Sequence, residues 1–488
     1  MCLQHLRTLG ARLAANPSAK ALTRNTLTGA SALALAVSGC VDSTLTAPKT
    51  STQPMTAGSL PLSAQNVVIG ITPPLTTQIV NAEPGDQLDP HISGDWASYT
   101  SEVSVRYYNF STNTDAQIPM GPSARDLLSG ISGSKIVFAR TIVGVKTAVM
   151  VFDAANPAAD PVEIDPAPGP TRLGEAIGGN TVAYVDYGLQ FNGELVIHDL
   201  INSNSVRVTN DIDYDQNPSV SPDGNAVVWE HCGATAGQTN CDIWQAVKSG
   251  AGWSVSAASA TSNPEGNPTT NGTVVVYDVF PLVQPGQVSL IAWRPLTGGA
   301  ENRLQLDGAW AFDPSIVGNI IAFESRATGP LGLGQADIFV YDIGSNTLYQ
   351  ITNTPADEQL NDITVLTDGR LRLVWDSDED GFFQRNIHAA TFTLPPSAPS
   401  PAALIQQLLE KVALFNLRQG ISNSLDTKLD NAQAALTSAK SGDFANACAM
   451  LAAFINEVEA QSGKAITSAQ AAQLLELANQ ARAALSCR

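Results

Sequence analysis

The chain is poor in positive charge and in histidine. Its 488 residues include 26 Lys and Arg against 45 Asp and Glu, which gives a formal net charge of −19 at pH 7, and only five are histidines. This balance argues against a nucleic-acid partner, because phosphate contacts need clustered Lys and Arg. Hydrophobic residues nevertheless make up 44% of the chain, so we expect an acidic but folded protein.

Two absent motifs limit the chemistry. No G-x-S-x-G nucleophile elbow occurs, and a serine peptidase built on a hydrolase domain needs one. No C-x₂-C spacing occurs, which argues against a zinc site among the cysteines. We therefore predict a protein that is not an enzyme and that has no cofactor, with calcium as the one cation left open below.

The first 39 residues contain four basic residues and no acidic one, and they end in the apolar run 30–37 followed by Gly39 and Cys40. About eight apolar residues are too few to cross a bilayer, which takes roughly 20. The segment 1–39 resembles a lipoprotein signal peptide, which implies cleavage before Cys40 and a lipid on that residue. Residues 40–65 are rich in Ser, Thr and Pro and are predicted to be a flexible tether. These features predict a bacterial cell-envelope protein, at the outer membrane or periplasmic face of a diderm, that meets the membrane through its lipid only.

The other cysteines fall into two local pairs. Cys232 lies near Cys241, and Cys448 lies within reach of Cys487 in the C-terminal region. Local pairs in an exported protein are expected to be disulfides.

A short pattern recurs seven times between residues 66 and 394. A turn glycine is followed, five or six residues later, by a buried-type aromatic residue at the end of a β-rich run. The glycines are Gly94, Gly133, Gly179, Gly224, Gly272, Gly318 and Gly369, and the aromatic residues are Tyr99, Phe138, Tyr184, Trp229, Tyr277, Phe323 and Trp375. Successive glycines are 39, 46, 45, 48, 46 and 51 residues apart. Such a period predicts an all-β propeller in which each aromatic residue packs between blades.

We expect seven blades, with six as the alternative. The seventh repeat has room for only three strands, so we predict that the segment Val67 to Thr72 supplies its fourth strand and closes the ring. The run Pro218-Ser219-Val220-Ser221-Pro222-Asp223-Gly224 resembles the TolB-type, WD40-like (PD40) repeat. That resemblance implies the propeller fold over 66–394, and its family includes both interaction proteins and non-catalytic domains of peptidases.

A Pro-rich linker at 395–401 precedes a region with helical periodicity at 402–488. We predict a small all-α domain of four helices at about 402–418, 422–439, 443–461 and 467–485. The runs ISNSLDTKLDNAQAAL and NACAMLAAFINEVEAQSGKAIT resemble the FIMAH domain of secreted and surface proteins.

Carboxylates follow the repeat's aromatic residue in five blades: Asp186, Glu230, Asp278, Glu324 and Asp376. Loops after second strands share one end of a propeller with the starts of the blades, where Asp89, Asn217, Asn267, Asp313 and Asn361 are expected. We predict an acidic binding rim that attracts a basic protein or holds calcium. The alternative is that acidic residues only tolerate strand ends.

Asp376, Asp378 and Asp380 match the start of a calcium-loop pattern, although Ile387 stands where an EF-hand has its bidentate Glu. The alternative is a plain hairpin turn. His198 and His388 lie in strands and are expected to pack, whereas His91 and His231 could face a ligand. The predicted function is therefore a non-catalytic scaffold that binds protein or cell-wall glycan. The alternative is a propeller enzyme, a metal-dependent polysaccharide lyase or hydrolase.

Overall fold

A computed structural model of the chain describes residues 67–166, 171–189, 192–233, 241–250, 252–280, 288–306, 308–329, 332–381, 384–395, 401–437, 443–485 and 487. The predicted signal peptide, Cys40, and the predicted tether lie outside these residues, as does most of the predicted Pro-rich linker. Across the described helices, none combines the length and apolar character needed to cross a membrane.

Seven sheets follow one another along the chain, and the consecutive strands of each blade pair antiparallel. The first strand of each blade lies at one edge of its sheet, and we call it the innermost strand. The strands of the first three blades are β3 (Gln87–Ser93), β4 (Trp96–Ser101), β5 (Ser104–Asn109) and β6 (Thr114–Gln117); β7 (Ala124–Ser132), β8 (Lys135–Ile142), β9 (Lys146–Asp153) and β10 (Val162–Glu163); β11 (Arg172–Gly178), β12 (Thr181–Asp186), β13 (Glu194–Asp199) and β14 (Asn204–Arg207). The prediction of a propeller is confirmed.

The remaining blades repeat this order. Their strands are β15 (Tyr214–Val220), β16 (Ala226–Cys232), β17 (Cys241–Ser249) and β18 (Gly252–Ser259); β19 (Glu265–Thr270), β20 (Val274–Val279), β21 (Leu290–Pro295) and β22 (Asn302–Leu304); β23 (Ala309–Val317), β24 (Ile320–Gly329), β25 (Gly332–Asp342) and β26 (Thr347–Gln350); β27 (Glu358–Val365), β28 (Leu371–Ser377) and β29 (Asn386–Phe392). The count of seven blades is confirmed.

The ring is closed by a different N-terminal segment from the one predicted. Strand β2 (Thr76–Asn81) pairs antiparallel with β29 and is the fourth strand of blade 7. The predicted segment contains β1 (Val68–Ile69), which instead pairs in parallel with β26 of blade 6. Burial explains the difference, because Val80 of β2 is 6% exposed whereas Ile69 of β1 is 52% exposed. The strand that closes the ring is therefore β2, which has buried residues, and not the more apolar β1.

The aromatic residues of the repeat are buried between blades, as predicted. Phe138 of blade 2 packs in one cluster with Val105 and Ile118 of blade 1, and Tyr277 of blade 5 packs with Val228 and Ile243 of blade 4. Both rings are fully buried. Burying a side chain of this size stabilises a fold by about 1.5–3 kcal/mol, so these rings are a main source of cohesion between sheets.

The C-terminal region forms four helices: α1 (Pro401–Leu414), α2 (Gln419–Thr437), α3 (Asp443–Gln461) and α4 (Ser468–Ala484). Leu408, Leu429, Phe454 and Leu474, one from each helix, share a single buried core. The predicted four-helix domain is confirmed, but α1 ends four residues early because Asn416 adopts a left-handed φ of 48°.

Both predicted disulfides are present. Cys232 of β16 bonds to Cys241, the residue paired with it on β17. Cys448 of α3 bonds to Cys487, which follows α4. Thr467 caps α4 in a capping box with Gln470.

Candidate functional site

Each innermost strand of the propeller is interrupted by a bulge at the same position. The pairing register of the first and second strands shifts there in all seven blades. In six blades the residue at the shift has a φ of 48° to 62°: Asp89, Leu128, Gly174, Asn217, Asn267 and Asp313. Asn, Asp and Gly adopt this conformation most readily, which explains the Asx residues seen at the blade starts.

In blade 4, Glu230 follows the repeat's aromatic residue and accepts three hydrogen bonds. Gln216 Nε2 donates to Glu230 Oε2 at 2.7 Å, and Asn217 Nδ2 donates to Glu230 Oε1 at 2.8 Å. The backbone amide of Asn267 in blade 5 also donates to Glu230 Oε1, at 2.7 Å. Glu230 therefore links the bulge of its own blade to the bulge of the next.

The same arrangement recurs between blades 5 and 6. Asn267 Nδ2 donates to Asp278 Oδ2 at 2.8 Å and to Asp313 Oδ1 at 2.5 Å. The Asp313 amide donates to Asp278 Oδ2 at 3.3 Å. Asn267 thus stands between two carboxyl groups of neighbouring blades and donates to both.

Burial raises the pKa of three carboxyl groups in the blades: Asp278, Glu324 and Glu175. The pKa of Asp278 is raised well above its usual range, first by burial and then by the neighbouring Asp313 carboxylate. The pKa of Glu324 is raised in the same way and from the same two causes. Glu175, on the innermost strand of blade 3, has its pKa raised to about 8 by burial, against the backbone amides that lower it. Glu175, with a pKa of about 8, is therefore a neutral acid near pH 7.

Blades 2 and 3 use ion pairs within one blade instead. Arg140 donates to both oxygens of Asp126, at 2.8 and 2.6 Å. Arg172 Nε donates to Asp186 Oδ2 at 2.8 Å. Their bulge residues, Leu128 and Gly174, carry no polar side chain.

The five carboxylates predicted to form a binding rim are all buried: Asp186 (4% exposed), Glu230 (5%), Asp278 (0%), Glu324 (2%) and Asp376 (0%). The expectation that they make the surface acidic is wrong, because their side chains are buried within the blades. Arg172 donates to Asp186, Asn217 to Glu230 and Asn267 to Asp278. A direct contact between these five and a partner stays a prediction, and their burial favours the alternative of a structural role.

The segment predicted to bind calcium is engaged with protein donors. Arg385 donates to Asp376, Asp378 accepts the Asp357 amide at 2.6 Å, and Asp380 accepts Asn386 Nδ2 at 2.9 Å. These three carboxylates are not among the described groups whose ligand atoms lie within 4.8 Å of one another. Calcium binding there stays a prediction, and it would require the Arg385 guanidinium to move away.

His231 lies in a cluster of aspartates at the start of blade 4. Its Nδ1 is 2.8 Å from Asp215 Oδ1, and its Nε2 is 3.4 Å from Asp213 Oδ2. Asp211 brings a third ligand atom within 4.8 Å of those of Asp213 and His231. Burial lowers the pKa of His231, but the hydrogen bond to Asp215 and the charges of Asp215, Asp211 and Asp213 raise it more, so the net shift is upward.

Sequence reasoning singled out His231 but missed its partners. The signal was present as the alternation Asp211-Ile212-Asp213-Tyr214-Asp215, the same spacing noted at Asp376. A second group of candidate ligands, Glu230 with Cys232 and Cys241, offers no thiolate because the two cysteines are disulfide-bonded.

The other histidines have partners within the blades. His198 Nδ1 is 2.9 Å from Ser205 Oγ, and His388 stacks on Trp375 with ring centroids 5.6 Å apart. His91 Nδ1 lies 3.7 Å from Asp362 Oδ2.

A cavity of about 470 Å³ lies beside the closing strand β2. Its lining includes Ile79, Thr354, Trp375, Glu379 and His388, and none of the five predicted carboxylates. The volume suits a small ligand, but the buried carboxylates Glu230, Asp278 and Glu324 do not line the cavity.

No protein-family model matches the sequence, and no curated protein matches it. Among solved structures, the chain is similar to a TolB-type protein from Agrobacterium tumefaciens at 14% identity and a TM-score of 0.37, covering 65% of this chain and 94% of that one. It is similar to TolB from Acinetobacter baumannii at 17% identity and a TM-score of 0.35, covering 46% of this chain and 55% of that one. It is also similar to a puromycin-hydrolyzing peptidase from Mycobacterium tuberculosis at 12% identity and a TM-score of 0.46, covering 66% of this chain and 54% of that one.

Likenesses this distant carry no conclusion about activity. The propeller fold is consistent with the repeat motif, while the resemblance of the helical domain to FIMAH stays a prediction.

Proposed function

We propose that this chain is a non-catalytic scaffold of the bacterial cell envelope that binds a protein partner. The observation that carries the proposal is an arc of exposed aliphatic side chains at one end of the propeller. We call this end the connection face, because it holds the loops after second strands and the connections between blades. The arc consists of Val103 (40% exposed), Val143 (58%), Val145 (66%), Leu189 (46%) and Ile212 (70%).

These five residues come from consecutive blades. Val103 lies between β4 and β5, Val143 and Val145 between β8 and β9, Leu189 between β12 and β13, and Ile212 between β14 and β15. Exposed apolar groups gathered on one face are typical of interaction sites. On the opposite face, the large exposed apolar residues of the described blades include Ile201 and Val365, which lie in different blades.

The negative charge of the chain favours a partner with basic residues. The chain is strongly acidic, and Glu102 and Asp211 are exposed on the connection face beside members of the arc. A partner with basic residues around an apolar contact would be steered toward this face. Asp186, Glu230 and Asp278 are buried and accept hydrogen bonds from protein donors, which supports a scaffold over a catalytic site.

The proposed location rests on the N-terminal sequence and on the disulfides. Two disulfides suit an oxidising compartment outside the cytoplasm. Lipidation at Cys40 would then hold the propeller at the envelope by its tether.

The test is crosslinking in intact cells that express the tagged full chain. We expect the parent and Ile201→Glu, the control on the opposite face, to capture the same protein, and Val143→Glu/Val145→Glu to capture at least tenfold less of it. Equal capture by all three forms would contradict the proposal. Capture of cell-wall glycan with the same dependence on Val143 and Val145 would replace the protein partner by a glycan.

A metal-dependent polysaccharide lyase or hydrolase is the second candidate, and the cluster around His231 is the observation that favours it. A polysaccharide-cleaving activity that is lost in Asp213→Asn would establish it.

A further inference from the structure

The cluster at the start of blade 4 has the organisation of a metal centre. We propose that Asp211, Asp213 and His231 bind one zinc ion. Asp211 and Asp213 lie on the connection before β15, and His231 lies on β16. This inference concerns a metal ion rather than a protein partner, although Asp211 and Asp213 flank Ile212 of the exposed arc.

The distances fit a shared ion. His231 Nε2 and Asp213 Oδ2 are 3.4 Å apart, and the Asp211 carboxylate is within 4.8 Å of both. Nitrogen and oxygen ligands lie about 2.0–2.2 Å from zinc, so two of them around a tetrahedral ion are roughly 3.4 Å apart. A small movement of Asp211, which is exposed, would complete the set.

The imidazole is oriented from behind by buried groups. Asp215 Oδ1 accepts a hydrogen bond from Trp229 Nε1 at 2.9 Å and lies 2.8 Å from His231 Nδ1. The Asp215 side chain is fully buried, and the centroids of the Trp244 ring and the His231 imidazole are 4.6 Å apart. With the Nδ1 proton donated to Asp215, the Nε2 lone pair points toward the other two aspartates. A carboxylate behind a histidine is the usual support of a metal-bound imidazole.

The backbone around the ligands is also fixed. The Asp213 amide donates to Asp211 Oδ1 at 2.9 Å, and Asn192 Nδ2 donates to the carbonyl oxygens of both residues. The Cys232–Cys241 disulfide holds β16 to β17 directly after His231. The ligands are therefore held close to their binding geometry before an ion arrives.

The ligand types favour zinc over calcium. Calcium takes six to eight oxygen ligands, whereas this cluster offers one imidazole nitrogen and two carboxylates. Three protein ligands leave a fourth position on zinc for water or for a group from outside the protein.

The experiment is calorimetric titration of Zn²⁺ into the EDTA-treated full chain. We expect one ion per chain, at least tenfold weaker binding in Asp213→Asn and in His231→Gln, and unchanged binding in His198→Gln, the matched histidine on the third strand of blade 3. Asp213→Asn is the decisive variant, because Asp213 is partly exposed and its loss is compatible with folding.

Three results would overturn the proposal. They are no zinc binding by the folded parent, zinc binding that is unchanged in both Asp213→Asn and His231→Gln, and displacement of Zn²⁺ by an equal concentration of Ca²⁺.

Discussion

Blades 4 to 6 and blades 2 and 3 treat their buried carboxylates in different ways. In blades 4 to 6, Asn217 and Asn267 donate to Glu230 and Asp278 of their own blades. The Asn267 amide to Glu230 and the Asn267 side chain to Asp313 are the bonds that cross from one blade to the next. In blades 2 and 3, Arg140 and Arg172 neutralise carboxylates of their own blade. The comparison teaches that a buried carboxylate can be held either by an asparagine at the bulge, which also reaches the next blade, or by an arginine of its own blade.

Hydroxyl groups near the turn glycines also join neighbouring blades. Ser93 Oγ accepts a hydrogen bond from the Gly133 amide at 2.9 Å, and Ser132 Oγ accepts one from the Gly179 amide at 2.8 Å. These joints lie at the turn glycines, at the opposite end of the strands from the carboxylates. The propeller therefore has two kinds of joint, and they can be broken separately.

The largest effect is expected in the apolar cluster at the seam between blades 7 and 1, where the Gly94 amide also donates to Thr364 Oγ1 at 3.2 Å. Val80→Asp places a charge in the buried cluster that contains Tyr99 and Ile387, and we expect a loss of about 3–4 kcal/mol in the free energy of unfolding. The control is Ile69→Asp on β1, which is expected to change stability by less than about 0.5 kcal/mol because Ile69 is exposed. A larger loss of unfolding free energy in Ile69→Asp than in Val80→Asp would indicate that β1, and not β2, closes the ring.

The signal for these measurements belongs to the propeller alone. All seven tryptophans lie before residue 376, and none lies in the helical domain. Urea unfolding followed by tryptophan fluorescence therefore reports on the blades without interference from the helices.

The joint of blades 4 to 6 is tested by Asn267→Ala. The change leaves Asp278 and Asp313 facing each other without their shared donor, and we expect a loss of about 2–3 kcal/mol. Leu128→Ala, at the equivalent bulge of blade 2, removes no such donor and is expected to cost about 1 kcal/mol. Equal losses in the two variants would show that the joint adds nothing beyond packing.

The smallest effect concerns Glu175 in blade 3. The folded protein keeps its proton up to about pH 8, whereas the unfolded chain releases it near 4.5, so stability falls as pH rises between these values. The slope from this group is about 1.4 kcal/mol per pH unit. Glu175→Gln cannot ionise and is expected to gain about 1 kcal/mol over the parent between about pH 5 and about pH 6. Parallel pH profiles for both proteins would show that Glu175 is ionised in the fold.

The sequence predicted the parts of the fold that depend on period. Glycine and aromatic positions predicted seven blades, with six as the alternative, and the spacing of Leu and Ala predicted four helices. It could not choose between Val68–Ile69 and Thr76–Asn81 as the closing strand, because that choice depends on which strand has a buried face to pair against.

The candidate site was harder to predict for a related reason. The sequence places Glu230 directly after Trp229 without showing that it accepts hydrogen bonds from Asn217 and from the Asn267 amide, because those contacts depend on strand pairing and on the packing of the next blade. The zinc cluster joins Asp215 to His231, 16 residues away on the next strand, and only the pairing of β15 with β16 brings them together.

The central claim is that binding uses the exposed aliphatic arc and that the buried carboxylates hold the blades. The most direct measurement is partner capture by Glu230→Gln, normalised to folded protein, beside Val143→Glu/Val145→Glu. We predict that Glu230→Gln lowers the urea midpoint and captures as much partner as the parent, while the double variant keeps its midpoint and loses capture. Loss of capture in Glu230→Gln with full capture in the double variant would contradict the account.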